Sequence, residues 1–171
     1  MTLLAAPLLT SPHIVCADLL TVVAAELERC SPEPLTRVHV AAGAISWDDC
    51  CGMLVVAPER IFRTASFPIE GPDANGCFDG FIAIETLTLL LRCVPVFQDN
   101  GEPPTVAELE AAYSLLLNDA ATIWNALESY STWDSALLSQ SFLGAEGGCI
   151  GVETRLTIGV EYETWCPCPA E

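Results

Sequence analysis

Nine cysteines and two histidines are the side chains of this 171-residue sequence with the most obvious capacity for chemistry. The cysteines stand at positions 16, 30, 50, 51, 77, 93, 149, 166 and 168. A structural zinc site needs four thiolates or imidazoles in a tetrahedron, usually supplied as two pairs whose members sit roughly two to four residues apart. Here Cys50 and Cys51 are adjacent, and Cys166 and Cys168 are separated by one residue. A site assembled from these four is geometrically possible, but neither pair has the chelating spacing. Turn cysteines and an irregular tail are the plainer reading. The odd count, the lack of a regular framework and the absence of an export signal predict that most of the nine are reduced and structural. Cys16, Cys30 and Cys93 fall in apolar periodic segments, where a free thiol packs as a small hydrophobe.

A cysteine nucleophile requires a histidine within hydrogen-bond reach to hold the thiolate. His13 falls in the first turn of a predicted helix and His39 alternates with apolar residues in a predicted strand, so both read as structural or exposed. Paired carboxylates occur at Asp48–Asp49 and at Glu161/Glu163, but among 23 acidic residues such pairs arise by chance. The first is a turn signal and the second belongs to the polar face of a strand. Gly147, Gly148 and Gly151 do not make a phosphate loop, which needs a lysine, and the chain has none. No catalytic, cofactor-binding or metal-ligating residue emerges, and the expectation is a protein that is not an enzyme and carries no cofactor.

The charge balance is lopsided, with 23 Asp and Glu against 6 basic residues and a net charge of −17. All the basic residues are arginines, at positions 29, 37, 60, 63, 92 and 155. Such a chain cannot neutralise a phosphate backbone, which excludes wrapping nucleic acid. Solubility accounts for the acidity of a sequence that is 51% hydrophobic. A sharper reading is a surface that repels a polyanion passing close by. No apolar run approaches the roughly 18 residues of a membrane span. The apolar start at Met1–Pro7 has no basic residue before it, so no secretory leader and a cytoplasmic chain are expected.

Local signals place the elements that must carry these residues. Ser11–Pro12 is an N-cap followed by proline at the first helical position. Val15, Leu19, Val22, Val23 and Leu27 then recur at helical spacing until Pro32 and Pro34. Thr36–Ala42 is short and alternating, and Met53–Thr64 reads as a second strand with Pro58 at an edge or bulge. Residues 65–80 form a loop too long for a tight hairpin. Phe81–Val94 is apolar on both faces, as a strand covered on both sides would be. Thr105 and Glu108 have capping-box spacing, and a long helix follows to about Ser129 with Leu109, Ala112, Leu116, Ala120, Ile123 and Leu127 as its stripe. A loop is expected over Tyr130–Gly148, with weak helix around Asp134–Leu138. The closing strand alternates: Val152, Thr154, Leu156, Ile158, Val160 and Tyr162 on one face, and Glu153, Arg155, Thr157, Gly159, Glu161 and Glu163 on the other. With no repeat and no composition break, residues 1–171 are expected to form one α+β domain. It would have a mixed or antiparallel sheet of about four strands packed against two main helices, and irregular tails at 1–11 and 164–171.

Several stretches carry a resemblance. They are Trp47-Asp48-Asp49-Cys50 followed by Gly52-Met53-Leu54-Val55-Val56, then Phe67-Pro68, Leu91-Arg92-Cys93-Val94-Pro95, and Gly101-Glu102-Pro103-Pro104-Thr105 leading into the second helix. Together they span residues 14–163. With the element order, they resemble the tail terminator proteins of long-tailed bacteriophages, within the head-to-tail connectors of phages infecting actinobacteria. The resemblance implies a virion neck protein assembled in the host cytoplasm. It would form a ring, most often a hexamer, that caps the tail tube. Its partners would be the major tail tube protein and the head-completion or stopper protein, with double-stranded DNA passing through without specific binding. The acidity would then be a channel wall that phosphates do not adhere to. The polar face of residues 153–163 and the loop at 65–80 are the expected channel or intersubunit surfaces. Two rival readings are another connector component, such as a mostly stranded stopper or a mostly helical adaptor, and a small zinc- or cysteine-dependent protein.

Overall fold

The computed structural model describes residues 11–43, 45, 51–72, 81–96 and 102–161. Within them the elements are α1 (Pro12–Cys30), β1 (Arg37–Val40), β2 (Met53–Thr64), β3 (Phe81–Cys93), α2 (Val106–Glu128), β4 (Asp134–Glu146) and β5 (Cys149–Glu161). The architecture is α+β: one mixed sheet, with both helices packed on the same face.

Each helix starts where its punctuation says it must. The Ile14 amide donates to Ser11 Oγ at 3.3 Å, and Pro12 sits in the first turn, where a missing N–H leaves no bond unmade. At α2 the Glu108 amide donates to Thr105 Oγ1 (3.3 Å) and the Thr105 amide donates back to Glu108 Oε2 (2.8 Å). This reciprocal pair satisfies two amides that the helix itself cannot. Val15, Leu19, Val23 and Leu27 of α1 meet Leu116, Ile123 and Leu127 of α2 above Leu54, Val56, Ile84, Leu90, Val152, Leu156 and Ile158 of the sheet. Each fully buried leucine or isoleucine there contributes on the order of 1.5–3 kcal/mol, so this layer is the main source of stability.

The strand order is β1-β2-β3-β5-β4. β1 runs parallel to β2, and every other neighbouring pair is antiparallel. β3 therefore lies at the centre, which explains why Leu89, Leu90 and Leu91 are all buried and why its sequence does not alternate. β1 stops at the Val40–Val56 pair, so Pro58 lies beyond it on an edge with no partner among the described residues, and the β2–β3 register shifts between Pro58 and Arg60. Both conditions tolerate a residue without an N–H. On the face away from the helices, Met53, Val55, Leu89, Leu91 and Cys149 form a smaller apolar cluster with Ala41, Ile45 and Leu143.

The expected loop at Tyr130–Gly148 is overturned. Residues Asp134–Glu146 form β4, a fifth strand, in place of a loop with weak helix. β4 and β5 make a hairpin closed by Gly147 (φ +58°) and Gly148 (φ +81°), the two consecutive positive φ angles that a tight right-twisted turn requires. The alternation of β4 is broken because its pairing to β5 shifts between Leu137 and Ser139 and again between Leu143 and Glu146. A bulge inserts a residue and reverses which side chains face the core.

Two substitutions probe this packing. Gly52 has φ +74°, and a Cβ there would lie 2.7 Å from the Pro34 carbonyl oxygen. Gly52→Ala is expected to destabilise the fold by about 2–4 kcal/mol, read as a lower urea midpoint with an unchanged slope. The Thr88 hydroxyl is buried in the main core with no hydrogen-bond partner. Thr88→Val keeps the shape and removes that burden, and should raise stability by about 1 kcal/mol in the same assay.

Candidate functional site

The thiols and imidazoles do not converge. His13 is exposed in the first turn of α1, and His39 is half-buried in the edge strand β1. Cys16 lies one helical turn from His13 but on the buried face, and burial pushes its thiol up to about 11. At neutral pH that thiol stays protonated, the opposite of an activated nucleophile. Cys30, also free, is exposed at the end of α1.

Cys93 is not the reduced, packed thiol expected of it, because it forms a disulfide with Cys51 across 42 residues of sequence. The cause is strand register. Met53 of β2 faces Leu91 of β3, so two residues further out Cys51 comes opposite Cys93, with their Cα atoms 4.8 Å apart. Cys149 faces Cys93 from the other side in the β3–β5 ladder and is itself disulfide-bonded. The bond commits Cys51, one member of the four-cysteine set considered for zinc, while Cys50, Cys166 and Cys168 lie outside the described residues. Among the described residues no group of three or more His, Cys, Asp and Glu side chains is placed to hold a metal ion.

The strongest polar constellation is one that sequence reasoning missed. Arg92, at the end of β3, and Asp119, on the inner face of α2, form an ion pair with side chains only 3% and 2% exposed. Arg92 Nε donates to Asp119 Oδ2 at 2.8 Å. One terminal nitrogen donates to the Pro34 carbonyl (3.0 Å) and the other to Ser31 Oγ (3.1 Å). A single guanidinium thus ties the sheet, α2 and the segment leaving α1. The available signal was an arginine inside a strand apolar on both faces, since a buried charge has to be paired.

Above this pair opens a cleft of about 690 Å³, lined among others by Arg92, the Cys51–Cys93 bond, Glu33, Pro34, Glu108 and Leu115. Its chemistry is occupied internally: three donors of Arg92 are committed, and Glu108 serves the helix cap. The Thr105 amide, and then its hydroxyl, hold the Glu108 carboxyl below its usual range.

The polar face expected on the last strand is only partly wet. Arg155 Nε donates to Glu59 Oε2 at 2.8 Å, and its terminal nitrogen reaches Glu153 at 3.4 Å, so these charges are paired and half-buried. Thr157 on the same face is buried. Glu161 faces Phe81 in register. Asp48, Asp49 and Glu163 lie outside the described residues, as does the 73–80 part of the expected loop surface. In the described part, Ile69 is exposed and Glu70 pairs with Arg60, which also holds Glu85. Gly147 and Gly148 form the β4–β5 turn, not a ligand loop. No described helix is long and apolar enough to cross a membrane.

Large apolar side chains stay exposed along one side of the sheet: Leu138 (47%) and Phe142 (53%) on β4 and Leu117 (56%) on α2. Gln140 of β4 donates to the Ala120 carbonyl of α2 at 3.0 Å, which fixes these two elements side by side. Val38 on β1, at the far edge, is exposed as well.

No protein-family model matches the chain, and no curated protein sequence is significantly similar to it.

Removing one member of the buried pair strands a charge in the core. Asp119→Ala is expected to cost about 3–5 kcal/mol in chemical denaturation, whereas the double change Arg92→Met with Asp119→Leu should cost far less or nothing.

Proposed function

We propose that this chain is a tail terminator of a long-tailed bacteriophage, a ring-forming neck protein that caps the tail tube and passes double-stranded DNA towards it. The observation that carries the reading is a strongly acidic domain whose sheet, among the described residues, ends in two edge strands, one of them long and almost uncharged. Exposed strand edges are a liability for a monomer and a resource for an assembly. A net charge of −17 suits a conduit for DNA, because a wall without surplus cations makes no lasting phosphate contacts. Of the residues quoted for the resemblance, Gly52–Val56 open β2, Leu91–Pro95 end β3 and Glu102–Thr105 lead into the cap of α2, while Phe67-Pro68 follows β2 and Trp47–Cys50 and Gly101 lie outside the described residues.

Two helices against five strands among the described residues favour a terminator over a mostly stranded stopper or a mostly helical adaptor. The engagement of Cys51 in a disulfide weighs against a four-cysteine zinc protein. The partners on this reading are further copies of the chain, the major tail tube protein and a head-completion or stopper protein, in the neck of the virion.

Negative-stain microscopy and light scattering of the purified chain should find closed rings, most often hexamers. The wild-type chain should show no retention of double-stranded DNA even at low salt. Glu153→Lys with Glu161→Lys and Glu163→Lys should create salt-sensitive binding, each phosphate contact steepening the salt slope by about 0.9. A monomer in solution, together with its absence from a ring in the virion neck, would overturn the reading.

A further inference from the structure

Two edges of one sheet remain to be accounted for. β4 is 13 residues long, and its only charges are the terminal Asp134 and Glu146. Everything from Ser135 to Ala145 is neutral in a chain where acids outnumber bases 23 to 6. Its pairing to β5 keeps register over Asp134–Leu137 and again over Ser139–Leu143, the second and longer run lying between the two register shifts. Bulges guard an edge against promiscuous pairing, so this central stretch is the part left flat enough to accept another strand. β1, at the other end of the sheet, is 4 residues long, comparable with that stretch. It carries no acid, and its one formal charge is Arg37.

We infer that the sheet joins head to tail between copies of this chain, the outer edge of β4 in one subunit pairing with the outer edge of β1 in the next. The inference rests on the ring reading above and names the surfaces that would close it. Like-charged copies can approach closely only where charge is absent, and β4 offers such a stretch. Full-length antiparallel pairing of β4 with itself, centred on Gln140, would set Asp134 against Glu146 at both ends, and like charges directly opposite destabilise a ladder. Pairing β4 with β1 brings no two acids together. The contact is heterologous, and a heterologous contact produces a closed ring when its rotation divides the circle. Backbone bonds supply register, while exposed Leu138, Phe142 and Leu117 on one side and Val38 on the other supply apolar area.

The test blocks each edge separately. Variant one carries Leu138→Glu and Phe142→Glu; variant two carries Val38→Glu. All three positions are exposed, so circular dichroism and the urea midpoint should match wild type. In light scattering at a concentration where wild type is a ring, each variant alone should be a monomer. Mixed in equal amounts they should form a 1:1 dimer and stop there, because only one pair of intact edges remains. If both variants still form rings, the subunits are joined elsewhere; the inference falls and the ring reading survives. If the variants are monomers that do not complement each other, or if either forms a symmetric dimer alone, the head-to-tail edge pairing is wrong. If wild type itself is a monomer in solution and absent from the neck, the ring reading falls, and this inference with it.

Discussion

The buried pair between Arg92 and Asp119 is the constraint that orders the rest of the molecule. Desolvating two charges costs several kcal/mol each, and their attraction repays this only when geometry is good and the remaining donors are satisfied. Arg92 meets that condition with Asp119, the Pro34 carbonyl and Ser31 Oγ as acceptors. A leucine at this position would pack, but it would not select one placement of the segment leaving α1. The arginine does so by fixing Ser31 and Pro34 against the end of β3. Gly52 then completes the corner, its carbonyl accepting from the Thr36 amide at 2.8 Å, and β1 begins one residue later. The parallel β1–β2 pair, and thus one edge of the sheet, follows from where that guanidinium sits.

Much of the fold was legible because its boundaries are written in residues with a single physical meaning. Ser11–Pro12, Pro32 and Pro34 bracket α1, and Thr105 with Glu108 opens α2. The alternation of Val152, Thr154, Leu156 and Ile158 states which face of β5 is buried. β4 was illegible for a reason that is equally physical. Its register shifts place Leu138 as an extra residue, so neither a period of two nor a helical period survives across Asp134–Glu146. The Gly147–Gly148 pair signals a hairpin turn only when a strand is recognisable on each side of it, and the broken pattern of β4 hides one of the two. The Cys51–Cys93 bond was hidden for a third reason. Sequence spacing carries no information about a pairing decided by the alignment of two antiparallel strands.

The arginines explain how so acidic a chain holds together. Arg29 pairs with Glu26, Arg60 with Glu70 and Glu85, Arg92 with Asp119, and Arg155 with Glu59 and Glu153. Arg37 and Arg63 are also engaged. Three of these clusters lie at positions open to solvent, where an isolated pair adds little to stability. Their value there is to relieve repulsion at points where strands bring acids together, as Arg155 does between Glu59 on β2 and Glu153 on β5.

That use of the arginines decides what kind of contact the surface can make. With four of its six arginines held by neighbouring acids, the molecule presents a net negative field in which any partner of the same sign is repelled at long range. Screening at physiological salt confines that repulsion to about 8 Å, so short-range contact is still open to a surface free of charge. Ser135–Ala145 on β4, beside Leu117 on α2, is such a surface, and it carries backbone groups that a strand can complete. The acidity and the neutral edge are therefore two parts of one arrangement. The first repels same-sign surfaces at long range, and the second is a stretch where, on the assembly proposed above, a neighbouring copy meets no electrostatic barrier.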